Sequence, residues 1–291
     1  MNYMSEIIYI FLTVYIHIYG SLSKFAENRI IGGYECSRHS PKVNYEFMVV
    51  LTDYWGKHIC GGSLLNSKWV LSAAHCFDAT HYSYHICDSF TRQKCIKPDG
   101  ILREECPVHD IRHVYVHPKY VHNKDILFND IALLRLNTPM HLKINLRYVQ
   151  LPHAFIVGDV SDICDISTLM GWGVTDRNNK RLPSMNLLCV DIRIMSYEDC
   201  RIKFRLMKMS MLCTEPSMVK DTCYGDSGGP MMCNDVQYGI TSWGWECAMG
   251  KPAFYTRVDH YLDFINYTME NNAIRISLHF LMFALFFLLF I

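Results

Sequence analysis

The segment DTCYGDSGGP, residues 221–230, decides the interpretation of the chain. It holds three glycines and a single serine, Ser227, which lies between Asp226 and Gly228. Glycine is favoured where the backbone takes a positive φ or lies close to a ligand, so the segment indicates exposed backbone N–H groups beside the serine. Such a serine is either a nucleophile next to an oxyanion hole or an ordinary residue of a surface turn. The remainder of the sequence decides between the two.

The composition excludes nucleic acid as a partner and favours an exported protein. The 291 residues include 28 Lys and Arg and 28 Asp and Glu, so the chain lacks the basic surplus of a nucleic-acid-binding protein. Half of the residues are hydrophobic, which is ample for a buried core. The 13 cysteines are spread over most of the chain and indicate a disulfide framework formed in an oxidising compartment. Their odd number leaves at least one without an internal partner.

The amino terminus is typical of an export signal. Residues 7–19 form a mostly apolar run, and the small residues Gly20 and Ser21 follow it. This pattern predicts a signal peptide over residues 1–20. No clear basic segment precedes the run, and Tyr and His interrupt it, so an uncleaved anchor remains the alternative.

The carboxyl terminus is also apolar. Residues 280–291 contain no charge, and the small residues Asn271, Asn272 and Ala273 lie upstream of them. This order fits a GPI-anchor signal, in which the hydrophobic tail over residues 273–291 is removed. An uncleaved hydrophobic or transmembrane tail and a degenerate tail both remain open.

The sequence pattern in the middle of the chain indicates β-structure. Short apolar or alternating runs, separated by Gly, Pro, Asn and Asp, predict an all-β sandwich or barrel. The clearest of these runs are residues 47–51, 69–73, 131–136 and 236–243. Residues 258–271 differ, because their apolar positions recur at helical spacing, and we expect one amphipathic helix there to close the domain.

Three separated segments supply the residue types that a serine nucleophile needs. WVLSAAHC (69–76) ends in His75 and Cys76, NDIALLRL (129–136) contains Asp130, and the opening segment contains Ser227. Acyl transfer by serine requires a base to take its proton and a carboxylate to orient that base. Taken singly, each residue has a more ordinary interpretation as a surface histidine, a turn aspartate or a turn serine.

The sequence motifs around these residues resemble those of the chymotrypsin-like serine peptidases of the trypsin type. The resemblance extends from Ile30 to about Asn272, nearly everything between the two apolar ends. It rests on seven motifs in the order of that family: IIGGYEC (30–36), CGGSLL (60–65), LSAAHC (71–76), DIALLRL (130–136), GWG (171–173), GDSGGP (225–230) and SWG (242–244). So many motifs in one order are highly specific.

The resemblance implies two six-stranded antiparallel β-barrels with a C-terminal α-helix, forming a peptidase domain over residues 30–272 with its active site between the barrels. Ser227 would attack the peptide carbonyl, His75 would act as general base and then general acid, and Asp130 would hold the histidine tautomer. The N–H groups of Gly225 and Ser227 would form the oxyanion hole. The implied function is that of a serine endopeptidase without a cofactor.

The resemblance also implies synthesis as a zymogen. An activating protease would cut after Arg29 and remove the activation peptide, residues 21–29. The new ammonium of Ile30 would then pair with Asp226, next to the nucleophile. A buried carboxylate without a partner is costly, so this pairing would order the oxyanion hole.

The pocket for the substrate side chain is implied by the same resemblance. Asp221 would lie at its base and favour Arg or Lys before the cleaved bond, through a charge-assisted hydrogen bond. Ser242, Gly244 and Ala253 would line the pocket. The sequence departs from the family at Ala253 and Glu246, where trypsins have glycine. An added methyl in a close-packed slot costs about 1–3 kcal/mol, so we expect reduced or narrowed activity on basic substrates.

The family pattern further implies five disulfides. The pairs are Cys36–Cys189, Cys60–Cys76, Cys164–Cys233, Cys200–Cys213 and Cys223–Cys247. Cys87, Cys95 and Cys106 remain, all within a long segment between His75 and Asp130, where two of them can bridge and the third can be free or intermolecular.

We predict no metal site. A zinc site that adds His81, His85 or His109 to the three remaining cysteines matches no compact ligand spacing. Trypsins often bind calcium through paired acidic residues in the segment between His75 and Asp130, but we find no acidic residues in this sequence that align with them.

The sequence therefore predicts a peptidase that acts on proteins or peptides, secreted or held at the extracellular face of the plasma membrane. Asn266 begins a glycosylation sequon, which requires it to face outward from the predicted helix. The alternative is a catalytically silent homologue that binds proteins through the same cleft. A tethered surface protein in which proteolysis is secondary is a third interpretation.

Overall fold

The computed structural model describes residues 30–36, 45–77, 84–88, 101, 108–123, 126–140, 147–176 and 184–271, with the backbone alone at residues 87 and 88. The predictions for the signal peptide, the activation peptide, Arg29 and the tail lie outside the described residues. The same holds for the pairing of Cys87, Cys95 and Cys106.

Antiparallel strands dominate the described residues. In chain order they are β1 (Tyr34–Glu35), β2 (Met48–Thr52), β3 (His58–Asn66), β4 (Trp69–Ser72), β5 (His85–Asp88), β6 (Val108–Val116), β7 (Val121–Asn123), β8 (Ile126–Phe128), β9 (Ala132–Leu136), β10 (Ile166–Gly171), β11 (Leu188–Arg193), β12 (Met211–Cys213), β13 (Pro230–Cys233), β14 (Val236–Gly244) and β15 (Ala253–Arg257). Every residue of β2 and of β9 is buried, and apolar side chains predominate in both strands, with Thr52 and Arg135 as the polar exceptions.

The first half of the chain forms a closed barrel. Its strands follow the order β2-β3-β4-β9-β6-β5, and each pairs antiparallel with its neighbours. Strands β7 and β8 form a separate hairpin that leads into β9. This barrel supplies the frame for the segments that contain His75 and Asp130.

The second half forms a seven-stranded antiparallel sheet in the order β1-β11-β10-β13-β14-β15-β12. An isolated bridge between Ile194 and Thr214 brings the end of β11 to the end of β12. Six strands therefore wrap around as a second barrel, and the two-residue strand β1 is added along β11. The all-β double-barrel fold predicted from the sequence is confirmed, with this one added strand.

The two halves share an apolar core, which fixes their relative position. Met170 and Ile240 of the second sheet belong to the same buried cluster as the interior of the first barrel. Val258 and Ile265, near the carboxyl end, join that cluster as well. Burying a side chain of this size is worth roughly 1.5–3 kcal/mol, so the contact holds both barrels in one arrangement.

The helices differ in detail from the prediction. The predicted helix over 258–271 begins as a 3-10 turn, Val258–Tyr261, and continues as an α-helix, here α2, over residues 262–271. A short helix that the sequence did not reveal, α1 (Tyr197–Lys203), lies in the second half. Seven residues are too few for a readable helical period. Its one local signal is Ser196, whose hydroxyl accepts a hydrogen bond from the Asp199 N–H as an N-cap.

Five disulfides cross-link the described residues. They join the five cysteine pairs that the family resemblance implies: Cys36–Cys189, Cys60–Cys76, Cys164–Cys233, Cys200–Cys213 and Cys223–Cys247. A framework of this density is typical of proteins that fold in an oxidising compartment.

A buried ion pair joins the connection between the barrels to the carboxyl end of the domain. The Arg257 guanidinium donates to both carboxylate oxygens of Asp259, at 2.8 Å and 3.0 Å. It also donates to the Ile156 carbonyl at 2.8 Å, and the Ile156 N–H donates to Asp259 at 2.9 Å. Both charged side chains are almost fully buried, so each depends on the other for compensation.

Replacing Asp259 by alanine should lower the free energy of unfolding by about 3–5 kcal/mol, because the buried Arg257 would lose its counter-charge. Urea unfolding with the disulfides intact measures this change. Asp263→Ala, at an exposed position of α2, is the matched control. Equal losses in the two variants would show that the buried pair contributes nothing beyond an ordinary surface acid.

Candidate active site

The first barrel brings His75 and Asp130 together through its strand order. His75 lies in the 3-10 turn Ala74–Phe77, which begins two residues after the end of β4, and Asp130 lies two residues before the start of β9. These two strands are antiparallel neighbours with Ser72 opposite Ala132. The end of one strand therefore meets the start of the other, and the two residues become adjacent although 55 positions separate them.

The Asp130 carboxylate orients the histidine. His75 Nδ1 lies 2.7 Å from Asp130 Oδ2, and the His75 backbone N–H donates to Oδ1 at 2.9 Å. A carboxylate at this distance requires the proton on Nδ1, which makes Nε2 the basic nitrogen of the neutral ring. Burial opposes the ionisation of Asp130, but the neighbouring His75 and its hydrogen bonds hold the pKa of the carboxyl below its ordinary value.

Ser227 lies against the segment that leads to His75. The Gly61 N–H of β3 donates to the Ser227 carbonyl at 2.8 Å. Gly228 has a φ of 76°, and a Cβ there would come within 2.2 Å of Ser72 Oγ and 3.2 Å of the Ala73 nitrogen. Only glycine fits this approach, so it sets the serine turn against the end of β4.

Two backbone donors are available beside Ser227. Gly225 has a φ of 95°, which favours glycine, and a Cβ there would lie 3.1 Å from His58 Cε1. Among the described residues, no protein acceptor takes a hydrogen bond from the N–H of Gly225 or of Ser227. Paired free donors next to a serine can stabilise an oxyanion.

His58 packs against this turn and was not found from the sequence. Burial lowers its pKa to about 4, so the ring is neutral. Its Nε2 atom is buried without a hydrogen-bond partner among the described residues. His58 lies two positions before Cys60, and no local sequence pattern indicates that its ring packs against Gly225.

Asp226, the residue before Ser227, is fully buried. Its carboxylate accepts hydrogen bonds from the Gly173 and Cys223 N–H groups, both at 2.8 Å. Burial raises its pKa to about 7. Ile30 is also fully buried, in the core of the second barrel, with a left-handed φ of 50°. In this uncut chain the described hydrogen bonds of the Asp226 carboxylate are those from the two amides, and none is with Ile30.

The sequence model of the Trypsin family matches residues 30–265. The chain belongs to the trypsin family. It is 35% identical over 255 residues to rat trypsin-4, an alignment that covers 84% of this chain and 92% of the relative. Bovine anionic trypsin is 35% identical over 250 residues, covering 85% and 92%, and pig trypsin is 33% identical over 252 residues, covering 84% and 98%.

The residues predicted to form the substrate pocket all lie in the second half of the chain. The Asp221 carboxylate accepts a hydrogen bond from the Ala248 N–H at 2.8 Å, and burial raises its pKa to about 6. Gly244 and Ala253 are direct cross-strand partners on β14 and β15. The Ala253 methyl therefore stands next to the glycine, whereas Glu246 is exposed.

Ser242 makes a contact that no local sequence motif reveals. It was predicted as a pocket residue, and its hydroxyl donates to Asp130 Oδ2. This hydrogen bond joins β14 of the second barrel to the carboxylate of the first.

An apolar cavity of about 280 Å³ adjoins Gly244. Aromatic side chains form much of its wall, among them Phe204, Trp243, Trp245 and Phe254. The rings of Trp243 and Phe254 stack with their centroids 4.1 Å apart.

One group of potential metal ligands occurs in the part of the chain that the structure describes. Cys60, His75 and Cys76 place ligand atoms within 4.8 Å of one another. The two sulfur atoms are joined in a disulfide, so they are unavailable to a metal.

The remaining predicted site, Asn266, is exposed on α2. This orientation meets the requirement for an outward-facing glycosylation sequon. Within the described ranges, none of the helices is both long enough and apolar enough to span a membrane.

The uncut chain should lose stability as the pH rises from about 4 to about 7, in part through Asp226. Its pKa is about 7 in the folded state against 3.8 for an ordinary aspartate, so in this range the folded state holds a proton that the unfolded state has released. Stability therefore falls with rising pH, and Asp226→Asn should reduce the slope. Urea unfolding across this range measures it. An unchanged slope, equal to that of the exposed control Asp263→Asn, would contradict the raised pKa.

Proposed function

We propose that the chain is a serine endopeptidase that hydrolyses peptide bonds through Ser227, His75 and Asp130. The observation that supports this most directly is the 2.7 Å contact between His75 Nδ1 and the buried Asp130 carboxylate. It fixes the tautomer in which Nε2 can accept a proton, at the place where the Ser227 turn packs against β4.

In the proposed mechanism, Ser227 Oγ attacks the carbonyl carbon while His75 Nε2 takes its proton. The imidazolium then returns the proton to the leaving amine, and Asp130 stabilises the charged ring throughout. The Gly225 and Ser227 N–H groups stabilise the developing oxyanion, and one such donor is typically worth about 3–4 kcal/mol. Water completes the reaction by hydrolysing the acyl-enzyme through the same base.

Asp221 supports a preference for Arg or Lys before the cleaved bond. Its carboxylate is buried and receives a backbone N–H but no cation among the described residues. A basic substrate side chain would supply the missing charge through a charge-assisted hydrogen bond. The Ala253 methyl narrows the same pocket and should weaken this preference or favour one of the two basic residues.

Asp226 supports synthesis as a zymogen. The buried carboxylate has two amide donors and a raised pKa, which marks a site where a cation would be strongly stabilising. Cleavage after Arg29 would supply one as the ammonium of Ile30. The preceding segment, residues 21–29, would be the activation peptide, and a protease specific for basic residues would be the activator.

The five disulfides support action outside the reducing cytosol. We therefore assign the protein to the secreted fraction or the extracellular face of the plasma membrane, with the signal over 1–20 and the apolar tail over 273–291 as its proposed targeting segments. Its partners would be protein or peptide substrates and the activating protease.

The decisive experiment measures kcat/KM on matched peptides with Arg, Lys, Phe or Ala before the cleaved bond. The full chain is cut after Arg29, and the Ile30 terminus is verified by amino-terminal sequencing. We expect Arg and Lys peptides to be favoured roughly tenfold to hundredfold, the worth of a charged hydrogen bond. Ser227→Ala should lower the rate by a factor on the order of 10⁶.

A silent homologue gives a different result. It would show no turnover above Ser227→Ala on any peptide and no labelling of Ser227 by a fluorophosphonate. That outcome would overturn the proposed enzyme and leave a protein-binding role for the same cleft.

Ala253→Gly should raise kcat/KM on the basic peptides roughly tenfold, because it removes the methyl beside Gly244 from the proposed pocket. The Ala peptide serves as the internal control, since its short side chain would reach neither the Ala253 methyl nor Asp221. A uniform change across all four peptides would mean that Ala253 alters the fold rather than the pocket.

A further inference from the structure

Asn129, the residue before Asp130, has a left-handed backbone that its side chain holds in place. Its φ is 52°, a conformation that asparagine tolerates better than most residues. The side-chain Nδ2 donates to the Lys119 carbonyl, and Oδ1 accepts a hydrogen bond from the Tyr261 hydroxyl at 3.0 Å. Both ends of the amide are therefore engaged, and the turn that presents Asp130 is fixed in one conformation.

The backbone of Asp130 has its own anchor. Thr256 Oγ1, on β15, donates to the Asp130 carbonyl at 2.7 Å. The Thr256 side chain is buried, so water does not compete for this bond. The carbonyl and the carboxylate of Asp130 thus both receive hydroxyl donors from the second half of the chain.

Tyr261 is itself held rigidly. It is 5% exposed and belongs to the apolar core shared by the two barrels. Its ring packs edge-on against His117 with the centroids 5.3 Å apart. Burial raises the pKa of its hydroxyl, which therefore keeps its proton and acts as a donor.

These contacts constrain the geometry on which the His75 tautomer depends. Asp130 meets the Nδ1 and the backbone N–H of His75 with its two different oxygens, so the carboxylate has one usable orientation. A shift of about 1 Å in such a group can cost about two orders of magnitude in rate. Rotation of the preceding peptide would produce a shift of that kind.

We propose that Tyr261 and Thr256 are positioning residues, which orient Asp130 by holding the Asn129–Asp130 backbone from across the barrel interface. Neither hydroxyl touches the carboxylate, the histidine or the serine. The inference rests on the proposed function, because it gives Asp130 a part in the reaction.

The test uses Tyr261→Phe and Thr256→Val in the full chain cut after Arg29, since each removes one hydroxyl and keeps the side-chain shape. We expect kcat to fall roughly tenfold in each with KM unchanged. The apparent pKa of the acid limb should also fall, because a displaced carboxylate stabilises the imidazolium less. Thr256→Ser should restore both values, and Tyr267→Phe, 71% exposed on α2, should change neither.

A double-mutant cycle tests whether Tyr261 affects kcat through its hydrogen bond to Asn129. Asn129→Gly fits the left-handed backbone but removes the side chain that receives the Tyr261 hydroxyl. In that background Tyr261→Phe should have no further effect on kcat. A full additional loss would mean that Tyr261 does not act through Asn129 and would overturn its assignment.

A measurement without turnover separates this inference from the proposed function. In the Ser227→Ala background, the His75 Nδ1 proton in its bond to Asp130 is observed as a downfield resonance by NMR. Tyr261→Phe and Thr256→Val should shift or broaden it, while Tyr267→Phe should not. If no peptide is cleaved but the resonance responds, the function fails and the positioning stands. If the resonance and the kinetics both match the control, the inference is wrong.

Discussion

The buried charge of Asp130 is the constraint on which the rest of the candidate site depends. The residue is 1% exposed, and a carboxylate at such a position must be compensated by donors that the fold supplies. One donor group comes from His75 of the first barrel and another from Ser242 of the second. The two barrels are therefore joined by hydrogen bonds to one buried carboxylate as well as by their shared apolar core. Because two of these hydrogen bonds come from His75, they also set the orientation of its ring.

The site contains two more buried carboxylates, and the fold compensates them differently. Asp221 and Asp226 receive backbone amides and have raised pKa values of about 6 and about 7, whereas the pKa of Asp130 is lowered. Amides stabilise a carboxylate less than a cation does. In the proposed function the two missing cations arrive from outside the folded core, one from the substrate and one from the new amino terminus. Under the proposed function, the directions of these pKa shifts separate Asp130, which is paired with His75 in the folded chain, from the two acids that would receive a cation later.

The sequence predicted the parts of the structure that depend on neighbouring residues. The strands near 47–51, 69–73, 131–136 and 236–243 begin and end within one residue of their predicted bounds, because buried and half-buried strands produce the short apolar or alternating runs that the sequence shows. Contacts between residues far apart in the chain produce no comparable pattern in the sequence. The Thr256 and Tyr261 hydroxyls reach residues 126 and 132 positions away, and His58 meets Gly225 across the barrels. Only the folded chain brings these groups together, so no local pattern could reveal them.

Strand β1 and the Cys36–Cys189 disulfide determine how far the segment after Ile30 can move. Ile30 is only six positions before Cys36, and an extended chain covers at most about 3.6 Å per residue. An amino terminus freed at Ile30 would thus stay within roughly 20 Å of its anchor on β11. It would behave as a tethered ligand with an effective concentration on the order of millimolar or higher. Its docking would then be insensitive to dilution, so a single cleavage would convert each molecule independently of its neighbours.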